Sequence, residues 1–349
     1  TRNIELNFMS KSILIIYTGG TVGMIDSGNG TLLPFDIKNL LTSIPELSKF
    51  QFPIESISVF EKPLDSSNIG PDEWKVIGKA VADNYEKYSG FVVLHGSDTM
   101  AYTASALSFM FDGLTKPVIF TGSQLPIGIL RSDAKENILT SIELASMQNE
   151  KGAAIFPDVC VYFENSLFRA NRTIKANAEN FDAFMSPNFA ALAEVGVHFK
   201  LNEALVHKSE AAFSFRDKLS PDVALLKVFP GFSAKVFQSV FDNQYLRGLV
   251  LETYGTGNIP QDKHLLAGLQ RLAERGVHVL VVTQCIKGSV ELGRYATSED
   301  LKQMKVHSGH DMTSVAAVTK MMHVLGNYTS KTDIDNLLKQ SLRGEMTIN

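Results

Sequence analysis

Short apolar runs punctuate the chain, and most of them end in a cluster of glycine and hydroxyl residues. Ile13–Tyr17, Ile54–Glu61, Phe91–Leu94, Val118–Phe120 and Val159–Phe163 read as strands. Helical patterns fill the spaces between: Pro71 to Tyr88 with the only tryptophan, Trp74, then the segment after Thr99 through Phe111, then Ser132 to Met147. Arg169 to Met185 reads as a polar, basic loop. Such alternation predicts an α/β fold around a parallel sheet. From about His198 to Asp222 the charge is scattered and no long apolar period persists. We read 198–222 as a linker between a larger N-terminal catalytic domain over 10–197 and a smaller C-terminal α/β domain over 223–349. The second domain repeats the alternation. Its strands are Ala224–Phe229, Gly248–Glu252 and His278–Val282, and its helices Ser233 to Phe241, Lys263 to Arg275, Met312 to Leu325 and Thr332 to Leu342.

The strand ends carry the candidate chemistry, because open parallel sheets bind ligands at the carboxyl ends of their strands. The first strand breaks at Thr18-Gly19-Gly20-Thr21-Val22-Gly23. Three readings stay open on this stretch alone. A phosphate loop would need the first glycine of G-x-G-x-x-G or a following Gly-Lys-Ser/Thr, and both are missing. A turn whose threonines only cap the next segment is the second. The third makes a threonine hydroxyl a nucleophile, which needs a base elsewhere. Later strand ends carry Asp65-Ser66-Ser67, Ser97-Asp98 and Ser123-Gln124. A lining of hydroxyls, carboxylates and glycines suits a small polar substrate. Gly28-Asn29-Gly30-Thr31 reads as a mobile loop.

Composition narrows the field. The 349 residues are 44% hydrophobic and 20% charged, enough for two domains with a sizeable core. The net charge is −4 without a basic block, which argues against nucleic acid as a main partner. The two cysteines, Cys160 and Cys285, lie far apart and imply no disulfide framework, so a reducing cytoplasm fits. The apolar runs are too short to span a membrane. Thr1 to Ser10 lacks the apolar stretch of a signal peptide, and Met9 reads as a candidate start. No His/Cys pair stands at ligand spacing, so neither metal nor cofactor is expected, and His95 reads as a hydrogen-bonded strand-end histidine. A serine triad lacks its G-x-S-x-G elbow. A desolvated lysine can also serve as a base. Lys175, in Asn171-Arg172-Thr173-Ile174-Lys175-Ala176-Asn177, is either that or a surface lysine.

Five segments in order, Thr18-Gly-Gly-Thr21-Val-Gly, Asp65-Ser66-Ser67, His95-Gly-Ser-Asp98-Thr-Met-Ala-Tyr, Gly122-Ser-Gln and Arg172-Thr-Ile-Lys175, resemble the bacterial-type L-asparaginase family, most closely its cytoplasmic type I branch. The resemblance runs from about Ser12 to Glu345. It implies a larger and a smaller α/β domain, no cofactor, a homodimer or homotetramer, and hydrolysis of L-asparagine to L-aspartate and ammonia. Thr18 would be the nucleophile that forms a β-acyl-enzyme. Ser97, Asp98 and Lys175 would form a proton-relay triad, with Ser97 and Asp98 also touching substrate. Asp65, Ser66, Ser67 and Ser123 would contact the amino-acid substrate, and Asn258 would approach the site of a partner subunit. Two departures stand out: Ser97 replaces the family's usual threonine, and Thr31 and Leu32 stand where many members carry a lid tyrosine. Thr283-Gln284-Cys285 resembles part of a second asparagine site, but Glu252 and Ile174 replace the arginine and threonine of regulated members. The same core also occurs in the amidase subunit of tRNA-dependent amidotransferases, and a non-catalytic amino-acid binder is the third reading.

Overall fold

The computed structural model describes residues 12–26, 32–34, 37–207, 209–293, 296–304 and 306–348, so the 28–31 loop and Met9 lie outside the described residues. Two compact units emerge. The first runs to Ala170 and includes Lys175–Met185 and Ala190–Asp217; the second holds Asn171–Ile174, Ser186–Phe189 and the chain from Lys218 on.

The first unit is built on an eight-stranded sheet. In chain order its strands are β1 (Ile13–Tyr17), β2 (Ile54–Ser58), β3 (Gly90–Leu94), β4 (Val118–Thr121), β5 (Val159–Phe163), β6 (Ser166–Arg169), β7 (Ala193–Val195) and β8 (Phe199–Leu201). Across the sheet they run β8-β7-β6-β5-β4-β3-β1-β2. The strands from β1 to β5 are parallel, and β6, β7 and β8 return antiparallel. Every residue of β1, β3 and β5 is buried, as strands covered on both faces require. The parallel part has the order 2-1-3-4-5. The chain moves one way from β1 to β2 and then returns past β1 to β3. That reversal opens a crevice at the carboxyl ends of β1 and β3, the position where doubly wound sheets bind ligands.

The longer helices of this unit are α1 (Pro71–Asp83), α2 (Met100–Met110) and α3 (Ala134–Ser146), after a short one over Ile37–Thr42. Helix α1 starts at Pro71, and the Gly70 N–H donates to Glu73 Oε2 at 2.9 Å, a half capping box. It ends earlier than the pattern predicts, because Tyr85 and Tyr88 are drawn into other contacts. Tyr85 stacks on Phe213 with ring centroids 3.6 Å apart, and the Tyr88 hydroxyl donates to Glu55 at 2.6 Å.

Within 198–222, where a linker is expected, the chain carries short strands. Phe199–Leu201 is a strand of the large sheet, Ser214–Phe215 pairs with Phe111–Asp112, and the first unit extends through Asp217. Strands of two or three residues are too short to leave a periodic signal.

The second unit carries β9 (Val223–Lys227), β10 (Gly248–Thr253), β11 (His278–Thr283) and β12 (His307–Ser308), parallel and in simple sequential order. Period-two alternation divides its core cleanly. Leu249, Leu251, Val279 and Val281 pack on one face with α4 (Lys263–Glu274), whereas Val250, Leu280 and Val282 pack on the other with α5 (Ser314–Asn327) and α6 (Lys331–Lys339). The predicted helix over 233–241 shrinks to Gln238–Phe241, preceded by successive three-residue turns after Gly231, whose φ is +85°. A short helix over Ala296–Gln303 escapes the pattern. Among the described residues no helix is long and apolar enough to cross a membrane.

Candidate active site

Three loops meet at the crevice beside β1. Thr18 N–H donates to Leu94 O at 3.1 Å, Leu64 N–H to Thr18 O at 2.9 Å, and Gly20 N–H to Leu64 O at 3.1 Å. The turn after β1 is thereby tied to the loops after β2 and β3. Gly19 and Gly20 have φ of +128° and +87°, a region other residues rarely adopt. A methyl on Gly20 would stand 2.4 Å from the Gly96 Cα, and one on Gly96 would stand 2.7 Å from the Ser66 Cβ. Only glycine permits this backbone contact. The Thr99 hydroxyl adds a tie to Ser66 O at 2.6 Å.

The two threonines of the turn differ sharply. Thr18 is fully buried, and its hydroxyl donates to Leu94 O at 3.0 Å. This bond fixes the direction of the Thr18 hydroxyl at the carboxyl end of β1, the place expected of the nucleophile. Thr21, first residue of a short 3-10 turn, is half-buried and reaches the surface.

Lys175, Ser97 and Asp98 come together as expected. Lys175 Nζ donates to Ser97 Oγ at 2.9 Å and to Asp98 Oδ1 at 2.6 Å. The lysine side chain is 17% exposed and that of Asp98 69%. Lys175 is held by a turn in which Ala176 N–H donates to Ala183 O at 2.8 Å.

The Ser97 hydroxyl in turn donates to Gln124 Oε1 at 3.1 Å, while Gln124 Nε2 donates to Asn180 O at 2.9 Å. Gln124 is fixed from behind, since its N–H donates to the Asp133 carboxylate at 2.9 Å. Ser123 does not join this group. It is buried, and its hydroxyl donates to Leu125 O at 2.6 Å. The strand-end cluster pointed to the right loop, and the neighbouring residue makes the contact.

Asp65 accepts from the Ser67 N–H at 2.8 Å and from its hydroxyl at 2.7 Å. The Ser67 amide, and then the hydroxyl, hold the Asp65 carboxyl below its ordinary range. The carboxylate is exposed, ionised and fixed in direction, and Ser66 beside it is buried. His95 is fully buried, which pushes its pKa down to about 4, and Nδ1 lies 2.8 Å from Gly96 O. A carbonyl can only accept, so the proton of this neutral ring sits on Nδ1. His95 supports the loop from beneath. Asn258 lies in the second unit, where it closes a turn with Tyr254 through two backbone hydrogen bonds of 2.9 Å.

Comparison with known proteins agrees with this arrangement. Residues 12–207 match the family model described as Asparaginase, N-terminal, and residues 222–338 match the Glutaminase/Asparaginase C-terminal domain. The chain is 40% identical to L-asparaginase 1 of Escherichia coli (strain K12), over 97% of this chain and 98% of that protein. It is 38% identical to the 60 kDa lysophospholipase of Mus musculus, over 97% of this chain but 63% of that longer protein. The crystal structure of L-asparaginase I from Vibrio cholerae superposes with a TM-score of 0.87 at 38% identity, covering 97% of this chain and all of that one. A doubly wound sheet, a threonine–glycine turn at its switch point, a lysine bridging serine and aspartate, and matches along nearly the full length lead to one conclusion: the chain belongs to the asparaginase family.

Proposed function

We propose that this protein hydrolyses the side-chain amide of L-asparagine to L-aspartate and ammonia, with the Thr18 hydroxyl as the attacking group. The observation that carries the reading is Lys175 Nζ within hydrogen-bond reach of both Ser97 Oγ and Asp98 Oδ1, at the strand ends flanking the Thr18 turn. Relatives named L-asparaginase support the substrate.

The Thr18 oxygen attacks the amide carbon, and its proton passes to the departing nitrogen. The tetrahedral intermediate collapses to an aspartyl ester on Thr18 and ammonia. Water then attacks the ester while its proton passes through Ser97 to the Lys175 amine; the ester bond breaks, and Lys175 returns the proton to the Thr18 oxygen. Asp98 and Asp65 are carboxylates fixed near the site and suit the substrate's ammonium group. The active unit is a homo-oligomer in which Asn258 approaches a neighbour's site. Two free cysteines, Cys160 and Cys285, suit a reducing cytoplasm.

Ammonia release by the purified protein from L-asparagine tests the reading directly, with glutamine, glutamyl-tRNA and a lysophospholipid as competing substrates. Thr18→Ala is expected to lower turnover by on the order of 10⁴-fold or more, with the fold intact. Full activity in Thr18→Ala would remove it as nucleophile. Sedimentation at assay concentration checks the oligomer: a fully active monomer contradicts it.

A further inference from the structure

The second unit contains a side-chain cluster that the amidase chemistry does not use. His278 opens β11, His307 lies on β12, and Asp335 lies on α6. His278 Nδ1 and His307 Nε2 both approach the same oxygen, Asp335 Oδ1, at 2.9 Å. One ligand atom from each residue falls within 4.8 Å of the others, the only such group of three among the described residues. Both histidines are buried, and the Asp335 side chain is 28% exposed. A cavity of about 300 Å³ opens on the cluster and is also lined by Glu274, Gln303 and Lys331.

We propose that His278 Nδ1, His307 Nε2 and the Asp335 carboxylate form a binding site for a first-row divalent transition cation of the zinc type. Two imidazoles with one carboxylate select zinc and its neighbours over calcium or magnesium, which take mostly oxygen ligands. Tetrahedral zinc bonds of about 2.0–2.1 Å put ligand atoms roughly 3.3 Å apart. The two 2.9 Å contacts therefore need to open by only a few tenths of an ångström. Three protein ligands leave a fourth position, and the cavity supplies room for water there. Both rings are buried at the end of the cavity, and the neutral imidazole is the form that ligates. On binding, the His278 proton moves from Nδ1 to Nε2 and that of His307 from Nε2 to Nδ1. His307 Nδ1 is buried with no partner, so affinity should fall below that of a site with a complete outer shell. The bound ion would fasten α6 to the edge of the four-stranded sheet.

Equilibrium dialysis of the chelator-treated full chain against zinc tests the site. The expected result is one zinc per chain, a raised Tm, and a visible absorption band of low-coordinate cobalt when cobalt replaces zinc. Asp335→Asn keeps size and hydrogen bonding but removes the charge, and should weaken binding by at least the ten- to hundredfold seen for outer-shell changes. His307→Gln should do the same, whereas the exposed His264→Gln should retain one zinc per chain. Circular dichroism checks that each variant is folded. Should either ligand variant fail to fold, the cobalt spectrum of the unaltered chain decides alone. Failure to retain zinc in the unaltered chain, equal zinc in Asp335→Asn, or an octahedral aqueous-type cobalt spectrum would overturn the site. The cluster would then be a hydrogen-bonded clasp only.

Discussion

Lys175 approaches Asp98 to 2.6 Å in the first unit, and Lys320 approaches Glu345 to 2.7 Å in the second. The bond lengths are nearly equal and the surroundings are opposite. Lys320 and Glu345 have no exposed side-chain surface. Lys320 Nζ donates to Leu338 O, Gln340 O and Glu345 Oε1, which uses all three ammonium protons. Glu345 also accepts from the Leu342 N–H at 2.9 Å and the Arg343 N–H at 2.8 Å. Every strong bond is made inside the protein, so the pair fixes the C-terminal turn and leaves nothing for chemistry. Around Lys175 the carboxylate is open to solvent, and the remaining donor is turned onto a serine hydroxyl at the switch point of a sheet. Reactivity here follows from what the pair leaves unsatisfied and not from the pair itself.

Removing each lysine should separate the two cases. Lys175→Met is expected to lower turnover on asparagine by about 10²–10⁴-fold, as for a lost proton-transfer group. Its stability should change by less than about 1 kcal/mol, because Asp98 is left in water. Lys320→Met should do the reverse. Stripping one partner from a buried pair costs about 3–5 kcal/mol, while the folded fraction keeps its turnover number. Adding Glu345→Gln to Lys320→Met should restore part of that loss, since the amide oxygen still accepts from the Leu342 and Arg343 amides. Denaturant midpoints and turnover numbers on the same samples check all of this. Equal stability losses from the two single variants would erase the contrast.

Acid provides a gentler probe of the same contrast. Burial works to raise the Glu345 pKa, but the charge and hydrogen bond of Lys320, with the two amides, outweigh it and hold the carboxyl below its ordinary 4.5. A carboxyl lowered on folding binds fewer protons in the folded state. Its contribution is therefore complete above pH 4.5 and fades as pH falls through the folded value. Calorimetric scans should show the wild-type Tm falling more steeply in this acid window than that of Glu345→Gln. Parallel curves would show that Glu345 titrates alike in both states.

The sequence made the strand ends legible, and the structure was needed to tell neighbours apart within them. Thr18 and Thr21 flank the same glycines, and periodicity treats them alike. Their difference in burial arises because Gly19 and Gly20 turn at positive φ, Gly19 against the Leu64 backbone and Gly20 against that of Gly96, contacts that no one-dimensional pattern encodes. Ser123 and Gln124 are a second such pair. Lys175 was found through its motif, since its partners lie 77 and 78 residues away. The Lys320–Glu345 pair left only a charged residue inside an apolar helix. The 198–222 segment carries a different lesson, because brief strands on an existing edge need pairing partners more than they need a pattern of their own.

The smallest expected effect concerns Ser97, the serine that joins the reactive pair. Serine lacks the methyl that restricts a threonine rotamer, so Ser97→Thr should gain from preorganisation, and ordering one side chain costs at most about 1 kcal/mol. Much of that ordering is already present. The Ser97 hydroxyl accepts from Lys175 Nζ and donates to Gln124 Oε1, so its oxygen is held between the two. Gln124 is itself fixed by Asp133 and by Asn180 O. In this chain a hydrogen bond does what the methyl group does in a threonine. Ser97→Thr alone should then change turnover by less than about threefold, within the roughly fivefold that 1 kcal/mol allows. With Gln124→Leu in the background, the hydroxyl loses its acceptor and the methyl has more to contribute. Ser97→Thr should raise turnover more in Gln124→Leu than in wild-type protein, and a double-mutant cycle on the turnover number measures the difference. Strict additivity would show that Gln124 does not orient Ser97, and that the reactive pair stands without this support.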